Sequence, residues 1–337
     1  MRRLVWPAAV LVLLLALNVF FTPSFFSIQV RDGHLYGSLI DILRFGAPLI
    51  LVAIGMTLVI ATGGIDLSVG SVVAISGALA CLQISQDAGL FTAVVLALGL
   101  CLLLGAWNGF LVAGIGIQPI IATLILMVAG RGLAQLITGG QIITVNSPAY
   151  KMIGGGYWLT VPFGIVIVAV VLAVTAFLTR RLALGMLIES VGGNAEASRL
   201  AGIRSRGIIV MVYAFAALCA GVAGLMISSN VSSADGNNAG LWIELDAILA
   251  VVIGGTSLAG GRFSLAGTVL GALIIQTLTT TIYSIGVPPE TTLLFKALVV
   301  AAVCLIQSPS FREKVFHRRG RAVAPAPATD EKVRVTT

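Results

Sequence analysis

A carboxylate, a hydroxyl and three glycines fall within eight residues of this chain, Gly63-Gly64-Ile65-Asp66-Leu67-Ser68-Val69-Gly70. These groups offer hydrogen bonds and a flexible backbone; they contain no pairing of nucleophile and base. Asp66 can hydrogen-bond a polar solute, or it can cap a helix by accepting from free N–H groups at the helix start, a role Ser68 can share. The only second carboxylate or imidazole that proton relay could use would have to come from elsewhere in the chain, since none stands near Asp66. Four cysteines, Cys81, Cys101, Cys219 and Cys304, sit in or beside apolar runs without close spacing, and the two histidines are His34 and His317. This pattern predicts no metal site, no disulfide framework and no cofactor. None of the four lysines follows a glycine, so the chain has no phosphate-binding loop of the Walker type. It is not expected to be an enzyme, and any ATP hydrolysis must belong to another polypeptide.

The surroundings of this segment say what such groups are for. The chain is 58% hydrophobic and 10% charged over 337 residues, against about 25% charged in soluble domains. An all-α, polytopic membrane bundle of about ten spans (nine to eleven) follows, because each span needs roughly 20 apolar residues. The opening segment interrupts an apolar run from Phe45 to Cys81 and leaves two short apolar pieces. Polar backbone at such a break is costly against lipid and is tolerated against protein or a watery path. The spacing recurs: Gly63-Gly64-x-x-Leu67-x-x-Gly70 is matched by Gly254-Gly255-x-x-Leu258-x-x-Gly261, with Ser257 inside the second copy. Interrupted helices in both halves of a transporter point to a solute path, whereas glycines alone also serve close helix packing. Six expected spans separate the two breaks, near 63–70 and 254–262. An inverted repeat of five-helix halves would need an odd number, so these two expectations conflict.

Taken in order, spans are expected at 4–21, on either side of the first break, at 90–112, 119–137, 163–179, 208–228, 245–253, 265–283 and 293–306. The first is read as a retained helix rather than a signal peptide, and Asn108 lies near the end of the fourth. Arg131, inside the fifth, needs a partner or water. Of the 20 Lys and Arg residues, fifteen fall at the N-terminus, in the 180–207 loop, at Arg262 or in the tail. That asymmetry predicts both termini and the 180–207 loop in the cytoplasm. It also explains the net charge of +7 without nucleic acid, for which no aromatic-interleaved basic face exists. The domain reading is a membrane domain over 1–308 with a cytoplasmic coupling loop at 180–207, then a disordered basic, Ala/Pro-rich tail over 309–337. Within the loop, residues 192–203 read as a short helix with Asn194 as N-cap, Glu196 in the first turn and Gly202 as its stop. Ala197, Leu200 and Ala201 give it a small apolar face suited to a groove on a partner.

The first break, Asn108-Gly109-x-Leu111-Val112, Ala122-Thr123-Leu124 with Arg131-Gly132, the 192–203 segment and Leu245-Asp246-Ala247-Ile248 running into Val252-Ile253-Gly254-Gly255-Thr256-Ser257-Leu258 together resemble the ribose-type ABC sugar permeases. The resemblance covers roughly residues 37 to 308. The stretches around Ala61-Thr62-Gly63, Ala122 to Gly132 and Asn237-Asn238-Ala239-Gly240-Leu241-Trp242 look closest to the galactofuranose subgroup. The resemblance implies a bacterial inner-membrane permease that translocates a monosaccharide by alternating access. It implies as partners a cytoplasmic ABC ATPase, a second permease subunit in a homo- or heterodimer, and a periplasmic sugar-binding protein. It also makes Gly193, Asn194, Glu196, Ala197, Arg199, Leu200, Ala201 and Gly202 the expected coupling helix. Permeases of the same architecture for an amino acid or nucleoside are the alternative, and a proton-coupled secondary transporter is a further one.

Overall fold

The computed structural model describes residues 2–21, 25–31 and 33–286, together with residues 291, 294, 296–298 and 301. The expected last span at 293–306 and the tail at 309–337 fall largely or wholly outside the described residues, as do Cys304 and His317. The chain divides into two compact units, Met1–Lys296 and Ala297–Thr337, and the architecture below is that of the first.

Its helices are α1 (Arg2–Phe21), α2 (Ser38–Ala61), α3 (Val69–Ser85), α4 (Leu90–Phe110), α5 (Pro119–Thr138), α6 (Pro148–Gly155), α7 (Phe163–Arg181), α8 (Leu184–Gly193), α9 (Ala195–Leu200), α10 (Ser205–Val231), α11 (Ile243–Ile253) and α12 (Leu265–Ser284). Strand pairing among the described residues is confined to three antiparallel ribbons of two or three residues per strand, in connectors. The protein is therefore an all-α, polytopic membrane bundle. Among the described residues six helices are long and apolar enough to cross a bilayer by themselves: Ser38–Ala61, Leu90–Ile115, Pro119–Thr138, Phe163–Arg181, Ser205–Val231 and Leu265–Ser284. The other three expected spans among the described residues, at α1, α3 and α11, are also helical but give shorter apolar stretches. Two helices depart from expectation, and α6 is the first, between the expected spans at 119–137 and 163–179. The 180–207 stretch contains α8, whose Ile188 and Val191 are buried. Charged neighbours on both sides hid this ten-residue helix from a hydropathy reading.

The bundle is assembled around α10. Lipid tails are as apolar as leucine, so helices in a membrane gain little from hydrophobic burial and associate by close packing of small residues. On α10, Ala216, Ala217, Ala220, Gly221, Ala223 and Gly224 are buried against α2, α3 and α4. A Cβ added at Gly55 of α2 would lie 2.7 Å from the Ala216 Cα, and one at Gly105 of α4 would lie 2.5 Å from the Ala217 Cβ. Polar groups inside the bundle are paired across helices. Thr57 Oγ1 meets Thr268 Oγ1 at 2.7 Å, Ser76 Oγ donates to the Gly221 carbonyl at 2.7 Å, and Tyr150 Oη meets Ser228 Oγ at 2.6 Å. Replacing Gly105 by leucine should force α4 off α10 and cost about 1–3 kcal/mol. Gly99 on the same helix has open space around it. A thermal-denaturation series in detergent should therefore show a clear loss for Gly105→Leu and near-wild-type melting for Gly99→Leu.

Candidate functional site

The two glycine breaks touch. Helix α2 ends at Ala61, and the chain leaves through Gly63 with a φ of +82°, which glycine adopts without strain. Helix α11 ends at Ile253, and its exit loop returns so that the Gly261 N–H donates to the Ala61 carbonyl at 2.9 Å. Gly192, in the last turn of α8, is wedged against both: a Cβ there would lie 1.7 Å from the Ala61 O and 2.7 Å from the Gly261 N. Gly260 closes the joint, with its Cβ direction 2.7 Å from the Gly192 carbonyl and 3.0 Å from the Gly63 N. Three chain segments thus meet backbone to backbone, with no side chain between them. This contact makes the two breaks neighbours in the fold. The flanking glycines are used differently: Gly64 abuts the Tyr213 hydroxyl, Gly254 abuts the backbone of Gly267, and Gly255 turns the chain at φ +86°. Ser257 lies in the exposed exit loop, where its Oγ accepts from the Ala259 N–H at 3.2 Å.

Beside this joint lies a buried polar cluster. Asp66 Oδ1 accepts from both the Ser68 N–H, at 2.9 Å, and the Ser68 Oγ, at 2.6 Å. Asn108 of α4 donates from Nδ2 to the Ser68 Oγ at 2.9 Å. All three side chains are almost fully buried. Ser68 makes no side-chain bond to the backbone of α3, and Asp66 holds the turn immediately before that helix, so neither caps α3 from within its first turn as expected. Just beyond Asn108, α4 loosens into a π-helical turn at Leu111–Ile115, the kind of local irregularity that recurs at functional sites. Two atoms of the cluster, Asn108 Oδ1 and Tyr213 Oη, are buried without a hydrogen-bond partner.

A second junction forms where α3 and α11 begin. The connector after α10 does not stay at the surface: Gly236 packs on the Ala134 carbonyl of α5, and Gly240 packs on Val73 and the Gly70 carbonyl. The chain then starts α11 deep in the bundle, with Glu244 only 6% exposed. A Cβ on Gly70 would lie 2.2 Å from Glu244 Oε2, so only glycine fits there, and that oxygen has no hydrogen-bond partner. Arg131 has its partner here, donating from Nη1 to the Ala239 carbonyl at 2.6 Å. Asp235 fixes the turn by accepting from the Asn237 N–H at 2.8 Å and from Asn238 Nδ2 at 2.8 Å.

The surface element of the site is α9. Asn194 Oδ1 accepts from the Ala197 N–H at 2.9 Å, a side-chain N-cap. Glu196 and Arg199 are joined by two hydrogen bonds, which hold the Glu196 carboxyl below its ordinary range. Gly202 turns the chain at φ +85° toward α10. The helix is shorter than the expected 192–203, because Gly192 and Gly193 belong to α8. Ala197, Leu200 and Ala201 are exposed, Leu200 by 78%.

Sequence reasoning passed over Gly192, Tyr213 and Glu244. Gly192 and Gly193 are indistinguishable as types, and only the fold shows that the first has no room for a Cβ while the second is open. Glu244 carries a usable signal, a carboxylate immediately before the apolar run expected at 245–253.

The family described as branched-chain amino acid transport system / permease component matches residues 38–304. The galactofuranose transporter permease protein YtfT of Escherichia coli (strain K12) is 50% identical over 325 residues, covering 95% of this chain and 95% of its own length. The fructose import permease protein FruF of Bifidobacterium longum (strain NCC 2705) is 40% identical over 337 residues, covering 96% of this chain and 94% of its own. The ribose import permease protein RbsC of Escherichia coli (strain K12) is 37% identical over 302 residues, covering 88% and 91%. No solved structure matches the chain.

Proposed function

This chain belongs to the branched-chain amino acid transport system / permease component family and is a sugar ABC importer permease subunit; on that premise we propose that galactofuranose is its solute and that the joint at Gly192 couples it to its ATPase. The observation supporting galactofuranose is the 50% identity to YtfT over 95% of both chains. The family description names amino acids, but the three relatives named above are all sugar permeases. The subunit makes and breaks no covalent bond; ATP hydrolysis lies in a separate subunit. We place it in a bacterial inner membrane with α9 on the cytoplasmic side, beside a second permease subunit and facing a periplasmic sugar-binding protein.

In this reading closure of the ATPase dimer displaces α9. The displacement passes through α8 to Gly192, and from there to the ends of α2 and α11. Those helices reorient, and the path opens to one side at a time. Weak solute contact suits this role, because a permease that held sugar tightly would release it slowly. The test is reconstitution of the permease with its ATPase and binding protein in proteoliposomes, followed by uptake of galactofuranose, fructose and ribose. Galactofuranose is expected to be taken up fastest; faster uptake of either other sugar would defeat the assignment.

One substitution isolates the coupling role. Leu200 is an exposed apolar side chain on a helix otherwise held by its own cap and ion pair. An interface anchor is worth about 2 kcal/mol, so Leu200→Asp should lower ATP-driven uptake by roughly tenfold or more. Amounts in the membrane should be unchanged on an immunoblot. Wild-type uptake by this variant would remove α9 from the coupling route.

A further inference from the structure

We infer that an apolar cavity between α4, α7, α8 and α10 seats one acyl chain of an anionic phospholipid, whose phosphate lies against Arg181 and Arg204. The cavity measures about 310 Å³ and takes its walls from Leu58 of α2, Leu102 of α4, Leu178 of α7, Ile188 of α8, and Met211 and Phe215 of α10. Thr175 and Thr179 also line it, but their hydroxyls donate within α7, to the Val171 and Thr175 carbonyls at 2.7 Å each. The walls therefore keep no side-chain polar group for water, which needs roughly two to four polar partners to occupy a cavity. Leu102 and Met211 are 41% and 42% exposed, so the cavity is open at its side. It opens beside α7, the least buried of the six bilayer-length helices, which faces lipid along most of its length.

What enters a side opening of this kind in a bilayer is hydrocarbon, and its position along the helices selects the headgroup. The cavity meets the last turns of α7 and the first half of α10, so it lies toward the end of the bundle where α7 stops and α10 starts. Arg181 is one turn beyond Leu178 on the same side of α7. Arg204, the N-cap of α10, stands two turns before Met211 on that helix. Both arginines are exposed, and among the described residues neither has an ion-pair partner. Glu189 lies in an adjoining recess that it shares with Arg180, so it leaves Arg181 and Arg204 to an anion from outside. Guanidinium groups bind phosphate oxygens in pairs, and hold them more firmly than a point charge does. An apolar slot that ends at two unpaired guanidiniums matches a molecule with a hydrocarbon chain and a phosphate. A seated chain would rest on Leu184 and Ile188 of α8, the helix whose last turn carries Gly192.

The test is photolabelling of the full chain in phosphatidylcholine vesicles. A trace of phosphatidylglycerol or of phosphatidylcholine carries a diazirine midway along one acyl chain, and mass spectrometry locates the labelled peptides. The phosphatidylglycerol probe should label 175–188 and 211–218 well above 120–128, an apolar stretch of α5 that is also exposed. It should also label the cavity peptides more than the phosphatidylcholine probe does. Each basic side chain beside an anionic lipid surface is worth about fivefold in binding. Arg181→Gln combined with Arg204→Gln should therefore lower cavity labelling by phosphatidylglycerol about tenfold or more. Met211→Trp should plug the opening and lower labelling by both probes, with α5 unchanged. Even labelling of cavity and α5, equal labelling by the two probes, or indifference to the arginine changes would overturn the inference. Cavity peptides that stay unlabelled would mean that protein, a second copy included, covers the opening, and would overturn it too. The arginine changes alter only exposed side chains, so they report on the headgroup even if Met211→Trp fails to fold. Neither sugar nor ATPase enters the readout, so failure here leaves the sugar reading standing.

Discussion

Gly192→Ala is expected to reduce coupled uptake by at least about tenfold while Gly193→Ala, one residue away, stays within about twofold of wild type. The Gly192 Cβ would stand 1.7 Å from the Ala61 O and 2.7 Å from the Gly261 N, distances far inside van der Waals contact and made to backbone, which cannot rotate away. The clash must part the Ala61 carbonyl from the Gly261 N–H, losing a hydrogen bond worth about 0.5–1.5 kcal/mol in addition to overpacking of about 1–3 kcal/mol. That is less than the roughly 5–15 kcal/mol by which folded proteins are stable, so the variant should still insert. Gly193 has nothing within 4 Å of its Cβ direction. Uptake normalised to permease in the membrane, with ATP hydrolysis measured in parallel, reads the result. Equal effects at the two positions would mean that the close approach at Gly192 has no part in coupling.

Asp66→Ala should be damaging and Asp66→Asn mild. The carboxylate acts through Oδ1, which accepts from the Ser68 N–H and hydroxyl, and asparagine keeps an acceptor in that position. Alanine removes it and leaves two buried donors unsatisfied, at about 1–3 kcal/mol each. It also frees the Ser68 Oγ that Asn108 Nδ2 addresses. Melting in detergent and uptake should fall together for Asp66→Ala, while Asp66→Asn should remain within about 1 kcal/mol of wild type in stability. If asparagine proved as harmful as alanine, the negative charge and not the acceptor geometry would be what the site needs.

The helices were legible in the sequence because hydropathy reports the solvent a segment meets, and nine of the expected spans are helical where placed. Asn108 was legible by type, an amide inside an apolar helix that must find a partner. The joint was not legible, since it is built from carbonyl and N–H groups that every residue carries, and no side-chain pattern marks which glycines will meet. The connector after α10 is hard to read for a related reason. Its Asp, Asn and Gly content matches a surface loop, yet Asp235 binds Asn237 and Asn238 and the Ala239 carbonyl accepts from Arg131, which lets the segment run into the bundle and set Glu244 against Gly70.

The backbone joint has a mechanical consequence. Contacts between side chains have slack, because rotamers can absorb a displacement of a few tenths of an ångström before the next helix feels it. Where Ala61, Gly192 and Gly261 meet there are no rotamers to turn. A push that reaches Gly192 would pass to the ends of α2 and α11 with little slack, and the two breaks would move together rather than in succession.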